Sequence, residues 1–346
     1  MLLNLRFIVL ENLLLYERPV NIKKNRLFFG MARRILFFLL FCIAAELMGQ
    51  QSPQFSQNMH NQLAVNPGYA GTTGMINVAV GNRQQWIGMK GAPSTTVFGV
   101  DTEMNILGWN SGLGLQVMND QIGQINTLNM ALVYAKRWEY EFGKLGIGVS
   151  LGVVNQVFGY SDLETDPSGG SNNYHNQKGD EKFTDDQGSA FDAGLGAYFE
   201  SRKFYMGFSI AHLNKPKPKL AQEYVSYLNQ TFFITGGYRY KLKNRPIELS
   251  PSIFVKTELA SVQIDFNINA MVKDKYWGGL TYRIQDAVVL LGGVELNNGL
   301  RIGYSYDINI TKMKGARDGS HELLLGYSFD LSLEKRKRKY KSVRYL

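Results

Sequence analysis

The chain of 346 residues carries 38 Lys/Arg against 29 Asp/Glu, for a net charge of +9, with 45% apolar residues, 12% aromatics, 36 glycines and one cysteine. Residues 1–49 hold +4 of that charge and residues 334–346 hold +6, leaving about −1 between them, so nucleic acid is a poor explanation for it. No window offers the roughly 18 uninterrupted apolar residues of a membrane-spanning helix.

Met31 to Gln50 reads as a secretory signal: Arg33 and Arg34 form the charged start, Ile35 to Ala45 the apolar run, and Gly49 a small residue at the cut. A mature chain beginning close to Gln50 or Gln51 is expected. Residues 1–30 precede an otherwise complete signal and read as a misassigned upstream start. Cys42 lies within the signal, so the processed chain has no cysteine for a disulfide. Residues 51–74 are expected to be a periplasmic amino-terminal segment.

From residue 75 to 333 one unit recurs, in which about ten residues alternate apolar with small or polar side chains and a polar turn follows. The clearest copy is Leu145, Ile147, Val149, Leu151 and Val153, interleaved with Gly146, Gly148, Ser150 and Gly152. Successive side chains of a strand point to opposite faces, so this copy has one greasy face and one polar or featureless one. A long series of such strands, with no helical period between them, predicts an all-β fold: a transmembrane antiparallel β-barrel of about 14 strands. The strands are expected near 75–87, 95–104, 111–118, 124–136, 144–158, 189–200, 203–212, 230–242, 246–258, 262–272, 275–285, 287–296, 299–310 and 320–332.

With an even strand count both ends of the sheet are periplasmic, and connections after odd strands face outward. The longest connections, Gly159 to Gly188 and Leu213 to Asn229, follow strands five and seven, as that rule requires. Alternation places Val262, Ile264, Phe266 and Ile268 against lipid, and Gln263, Asp265, Asn267 and Asn269 in the lumen. Arginine at Ile264 or Leu151 is therefore expected to be costly, and arginine at Gln263 mild. Lumen-parity charges of both signs (Arg83, Asp101, Arg239, Asp265, Arg283, Glu295, Arg301, Asp307 and Glu322) suggest a mutually paired lining. Residues 334–346, with seven Lys/Arg, read as a solvated basic tail on the periplasmic side.

The sharpest motifs lie before and within the first hairpin. They are Pro53, Phe55, Ser56 and Gln57; Asn66, Pro67 and Gly68, followed by Ala70 and Gly71; Arg83 through Trp86; Gly91 and Pro93; and Asp101. Asn66-Pro67-Gly68 favours a turn, because proline fixes φ and glycine accepts positive φ; a partner-docking role is the competing reading. Trp86 reads as an anchor at the headgroup level. A hairpin centred near Lys90 sets Arg83 opposite Val97, so an Arg83–Asp101 pair is not forced.

In this order and spacing the motifs resemble the PorP/SprF family, outer-membrane proteins of the type IX secretion and gliding machinery of Bacteroidetes. Ser52 and Gly68 stand where Asp and Ala are commoner in that family. The resemblance implies a non-enzymatic outer-membrane component. Its partners would be the periplasmic ring lipoproteins of the secretion system, a secreted adhesin with a carboxy-terminal sorting domain, and outer-membrane lipid. An outer-membrane porin or solute transporter is the alternative. His60, His175, His212 and His321 are scattered, with no zinc-like spacing, so no metal or cofactor is expected.

Overall fold

The computed structural model describes residues 52–159, 186–219, 228–310 and 319–330. The expected signal, the upstream segment, the basic tail and most of the Asp-rich connection after the fifth strand lie outside those residues. Among them, fourteen antiparallel strands close into one barrel. In chain order these are β1 (Ile76–Gln84), β2 (Ser94–Ile106), β3 (Trp109–Ile122), β4 (Ile125–Tyr140), β5 (Gly143–Phe158), β6 (Asp186–Glu200) and β7 (Phe204–Ala211). They continue with β8 (Thr231–Tyr238, resumed over Tyr240–Lys241), β9 (Ile247–Thr257), β10 (Val262–Val272), β11 (Tyr276–Arg283), β12 (Ala287–Glu295), β13 (Leu300–Asn309) and β14 (Ser320–Phe329). Each strand pairs with its sequence neighbours, and β1 pairs with β14 from Ile76↔Phe329 to Gln84↔His321. That seam leaves no open edge, so the backbone of every strand is satisfied within the sheet.

The alternation read from sequence is the alternation of faces. On β10, Gln263, Asp265, Asn267 and Asn269 are buried, whereas Phe266 and Ile268 are each 50% exposed. Leu132, Leu151, Phe191, Leu280 and Leu290 are exposed on the same outer surface. A soluble protein does not present so continuous an apolar belt, whereas a bilayer requires one. Even-numbered strands end in tight turns such as 107–108 and 141–142, and the long connections follow odd strands. The barrel therefore has a turn mouth and a loop mouth, which by this asymmetry face the periplasm and the exterior respectively.

Two expectations are corrected. The first hairpin is centred on Met89, not Lys90, so Arg83 stands opposite Thr95 and Asp101 opposite Asn77. Residues 52–74, expected as a periplasmic segment outside the barrel, instead lie within it: residues 54–58 and 61–63 are buried, as are 65–68 and 70–73. The lumen is consequently full at Gln263, whose amide donates to Asp265 at 3.0 Å and accepts from Gln54 at 3.1 Å. Arginine there would break a buried network and is not the mild change that parity alone implied.

Leu151→Arg, in the middle of the outer apolar belt, is expected to cost about 2–4 kcal/mol, while Phe142→Arg, at a turn tip 70% exposed, costs little. Urea unfolding of the two variants in lipid vesicles measures the difference.

The lumen plug as candidate functional site

Ser52 to Gly74 runs the height of the barrel. Its first residues sit at the loop mouth, where the Ser52 N–H donates to Glu258 Oε1 at 2.8 Å and the Ser52 hydroxyl meets that of Thr231 at 2.6 Å. Lys256 Nζ donates to the carbonyls of Ser52 and Pro53 at 3.0 and 3.3 Å. Twenty residues later the segment has crossed to the turn mouth. There the Gly71 N–H donates to Asp101 at 2.8 Å, and Arg137 donates to Ala70 O and Thr72 Oγ1 at 3.0 and 2.8 Å. The chain then turns back into β1.

One wall holds this plug by charge. Arg83 Nη2 and Arg283 Nη1 donate to the same Asp307 oxygen at 2.8 and 2.9 Å, and both guanidinium groups also donate to Ser56 Oγ, at 2.9 and 3.1 Å. The Ser56 hydroxyl in turn donates to Asp307 at 2.8 Å. Glu322 accepts the backbone N–H groups of Ser56 and Gln57 at 2.6 and 3.0 Å, and Asp265 accepts from Arg283 at 3.1 Å. Arg83, Arg283, Asp265 and Asp307 are each 1–2% exposed. Ions so far from water persist because each has an opposite charge and several donors or acceptors around it.

The other wall holds the plug by shape. Asn66 caps a single 3-10 turn over Pro67–Tyr69: its side-chain oxygen accepts from the Gly68 N–H at 2.9 Å, and its amide donates to Ala197 O at 3.0 Å. Glycines of the wall let the plug backbone touch the strands. A Cβ on Gly112, Gly146, Gly148 or Gly196 would collide with Ala70 O, Gly68 O, Pro67 O or Asn66 Oδ1 respectively, and one on Gly68 would lie 2.9 Å from Gly146 O. Leu63 and Ala70 pack with Val133 and Ala135, Val65 packs with Phe233 and Phe254, and the His60 ring lies 4.2 Å from that of Trp277. A cavity of about 70 Å³, lined by Phe55, Val65, Phe233 and Phe254 and by the His212–Asp192 pair, remains between plug and wall. It has room for a few waters at roughly 10–15 Å³ of accessible volume each.

The motif residues therefore divide. Pro53, Phe55, Ser56, Gln57, Asn66, Pro67 and Gly68 are plug, and Arg83 and Asp101 are wall residues bound to it, each to a different part of it. Trp86, Gly91 and Pro93 belong to the first turn at the loop mouth: Trp86 takes a left-handed φ of 47° beyond the end of β1, donates through its N–H to Ser320 Oγ at 3.2 Å, and is half-buried. Trp86 thus stands in a turn, beyond the strand. The sequence marked Arg283, Asp265, Asp307 and Glu322 as lumen charges, but nothing in it showed that they close around Ser56. The wall glycines were legible only as the small partners of the apolar alternation.

Fold and plug together define an outer-membrane β-barrel whose lumen is occupied by its own amino-terminal segment. The family model described as type IX secretion system membrane protein PorP/SprF matches residues 47–327, and the chain belongs to that family. No curated protein matches the chain. Among solved structures it is similar to a TodX monoaromatic hydrocarbon channel mutant (12% identity, 84% of this chain and 98% of that one, TM-score 0.42). The toluene transporter TbuX of Ralstonia pickettii is similar at 12% identity over 77% and 92% of the two chains, TM-score 0.45. The translocator domain of the autotransporter NalP of Neisseria meningitidis is similar at 13% identity over 74% and 87%, TM-score 0.38. These likenesses are too loose to bear on function.

Arg83→Met leaves Asp307 and Glu322 short of a buried cation and is expected to cost about 3–5 kcal/mol. Chymotrypsin should then cut after Phe55, buried in the parent, at a concentration that leaves the parent intact. The path of the plug also fixes the side on which Ser52 stands, the loop mouth. An epitope inserted just before Ser52 should be stained by antibody on intact cells, and one placed between Glu141 and Phe142 only after the outer membrane is opened.

Proposed function

We propose that this barrel is a closed outer-membrane anchor of the type IX secretion apparatus, supporting export or surface attachment of a secreted adhesin that carries a carboxy-terminal sorting domain. Its other partners on this reading are the periplasmic ring lipoproteins, met at the turn mouth. The observation that carries the reading is the plug. A lumen crossed by a segment buried on both sides, and tied by hydrogen bonds to the ionised groups of one wall, suits a scaffold better than a path for solutes. Family membership supports the same direction. No step of catalysis enters the proposal, and Arg83, Arg283, Asp307 and Glu322 are occupied in holding the plug.

The burial of Asn66-Pro67-Gly68 moves the docking surface. These residues touch Gly146, Gly196 and Tyr198 of the wall, so they shape the plug and leave contact with other proteins to the mouths. At the turn mouth the tips are apolar: Leu107 is 95% exposed and Phe142, stacked on Tyr140, is 70% exposed. Such tips suit proteins held close beneath the membrane.

Deleting the gene should leave the adhesin trapped in the periplasm or shed into the medium, with little change in uptake of small solutes. The purified barrel in planar bilayers should show no steady conductance. Altered solute uptake with a clear single-channel conductance, and adhesin display intact, would replace this reading with that of a porin.

A further inference from the structure

The outward face of the barrel changes character abruptly on one side. Read across the register of β1 to β6, one row of outward residues is Val80, Phe98, Val117, Met130, Val153 and Phe191. The next row toward the loop mouth, about 7 Å further along the strands, is Asn82, Thr96, Asn119, Leu128, Asn155 and Ser189. The row beyond it is Gln84, Ser94, Gln121, Asn126, Val157 and Gln187. Ten of these twelve positions are amides or hydroxyls and none is Lys, Arg, Asp or Glu. They bond to one another across strands: Asn82 to Thr96 at 2.8 Å, Gln84 to Ser94 at 2.8 Å and Asn155 to Ser189 at 2.9 Å.

Strand length explains where this patch stands on β3 to β6; β1, at 9 residues, joins it only at its loop-mouth end, through Asn82 and Gln84. β3 to β6 run 14, 16, 16 and 15 residues, more than the 9–11 or so that cross a bilayer, whereas β11 to β14 run 8, 9, 10 and 10. On β11 to β13 the outward residues stay apolar up to the loop mouth, with Ile284, Ile308 and Ile310 exposed, while β14 has His321 there. On the long side the wall continues past the hydrocarbon, and the two polar rows begin where the apolar rows end.

We propose that this neutral amide-and-hydroxyl wall binds the sugar headgroups of outer-leaflet glycolipid. It is continuous with the lipid-facing surface below it, so the acyl chains and the headgroup of one molecule reach both. Amides and hydroxyls donate and accept at once, which matches sugar hydroxyls. The absence of charge from the rows assigns them to the sugars and not to the phosphates, which call for Lys or Arg.

The test is native mass spectrometry of the barrel released from nanodiscs, comparing glycolipid that carries core sugars with sugar-free lipid A and with phosphatidylglycerol. The barrel should retain the sugar-bearing lipid preferentially. Thr96→Val, Asn119→Val and Asn155→Val together should lower that retention about tenfold or more, since several modest hydrogen bonds are lost at once, and leave retention of lipid A unchanged. No preference for the sugar-bearing lipid in the parent overturns the proposal whether or not the variant folds. So does equal retention by a folded variant. A photoreactive residue at Gln121 should crosslink glycolipid in cells, and capture of a protein there in its place would also overturn it.

Discussion

The whole arrangement rests on a constraint of the solvent: hydrocarbon offers backbone groups no hydrogen bond, so a chain that crosses it with strands must close the sheet on itself. Closure here is the β1–β14 seam, registered over the full length of β1. The alternation of side chains follows from it, because a closed sheet has only an outside and an inside. What remains free is the content of the inside. A ring of fourteen strands is too wide for its own wall side chains to fill, and this chain fills it with the segment that precedes β1.

Much of this was legible in the amino-acid sequence. Fourteen strands fall within a few residues of where the period-two pattern puts them, and the parity of the connections separates the two mouths. The faces of β10, from Gln263 to Asn269, alternate as read. Most of the lining charges pair with one another, Arg83 with Asp307, Arg283 with Asp265 and Arg301 with Glu295, whereas Arg239 pairs with Glu200, outside the expected set, and Asp101 accepts from the Gly71 N–H and the Asn77 amide. These features depend on period and sign, which a single sequence carries.

The plug was not legible, for a physical reason. Residues 52–74 have no period of their own, their three single 3-10 turns being joined by links of one and two residues. Their partners lie 200 or more residues away at Glu258, Asp307 and Glu322. Contacts of that range leave no local pattern. The glycines that admit the plug look, one at a time, like ordinary small residues between apolar ones, and only the approach of Pro67 and Gly68 shows why Gly146 and Gly148 carry no Cβ. The motif at Asn66-Pro67-Gly68 was correctly read as a turn, but a turn's location in the fold is set by what it packs against.

The placement of the ionic cluster couples plug and closure. Arg83 stands on β1, Asp307 on β13 and Glu322 on β14, so the charges that hold Ser56 come from both sides of the seam that closes the sheet. Arg83 also bridges to Glu322 directly across the seam, at 3.4 Å, with Ser56 accepting from the same nitrogen. Without the plug, Glu322 loses two backbone donors and Asp307 loses the serine hydroxyl, in a place where water is the only substitute. Taking the plug out of a closed barrel therefore strips donors from the inner side of its own seam, and closing the seam around the plug supplies them. The backbone ladder within the sheet and the Ser56 knot on its lumen face join the same pair of strands, so the first and last strands are fastened twice.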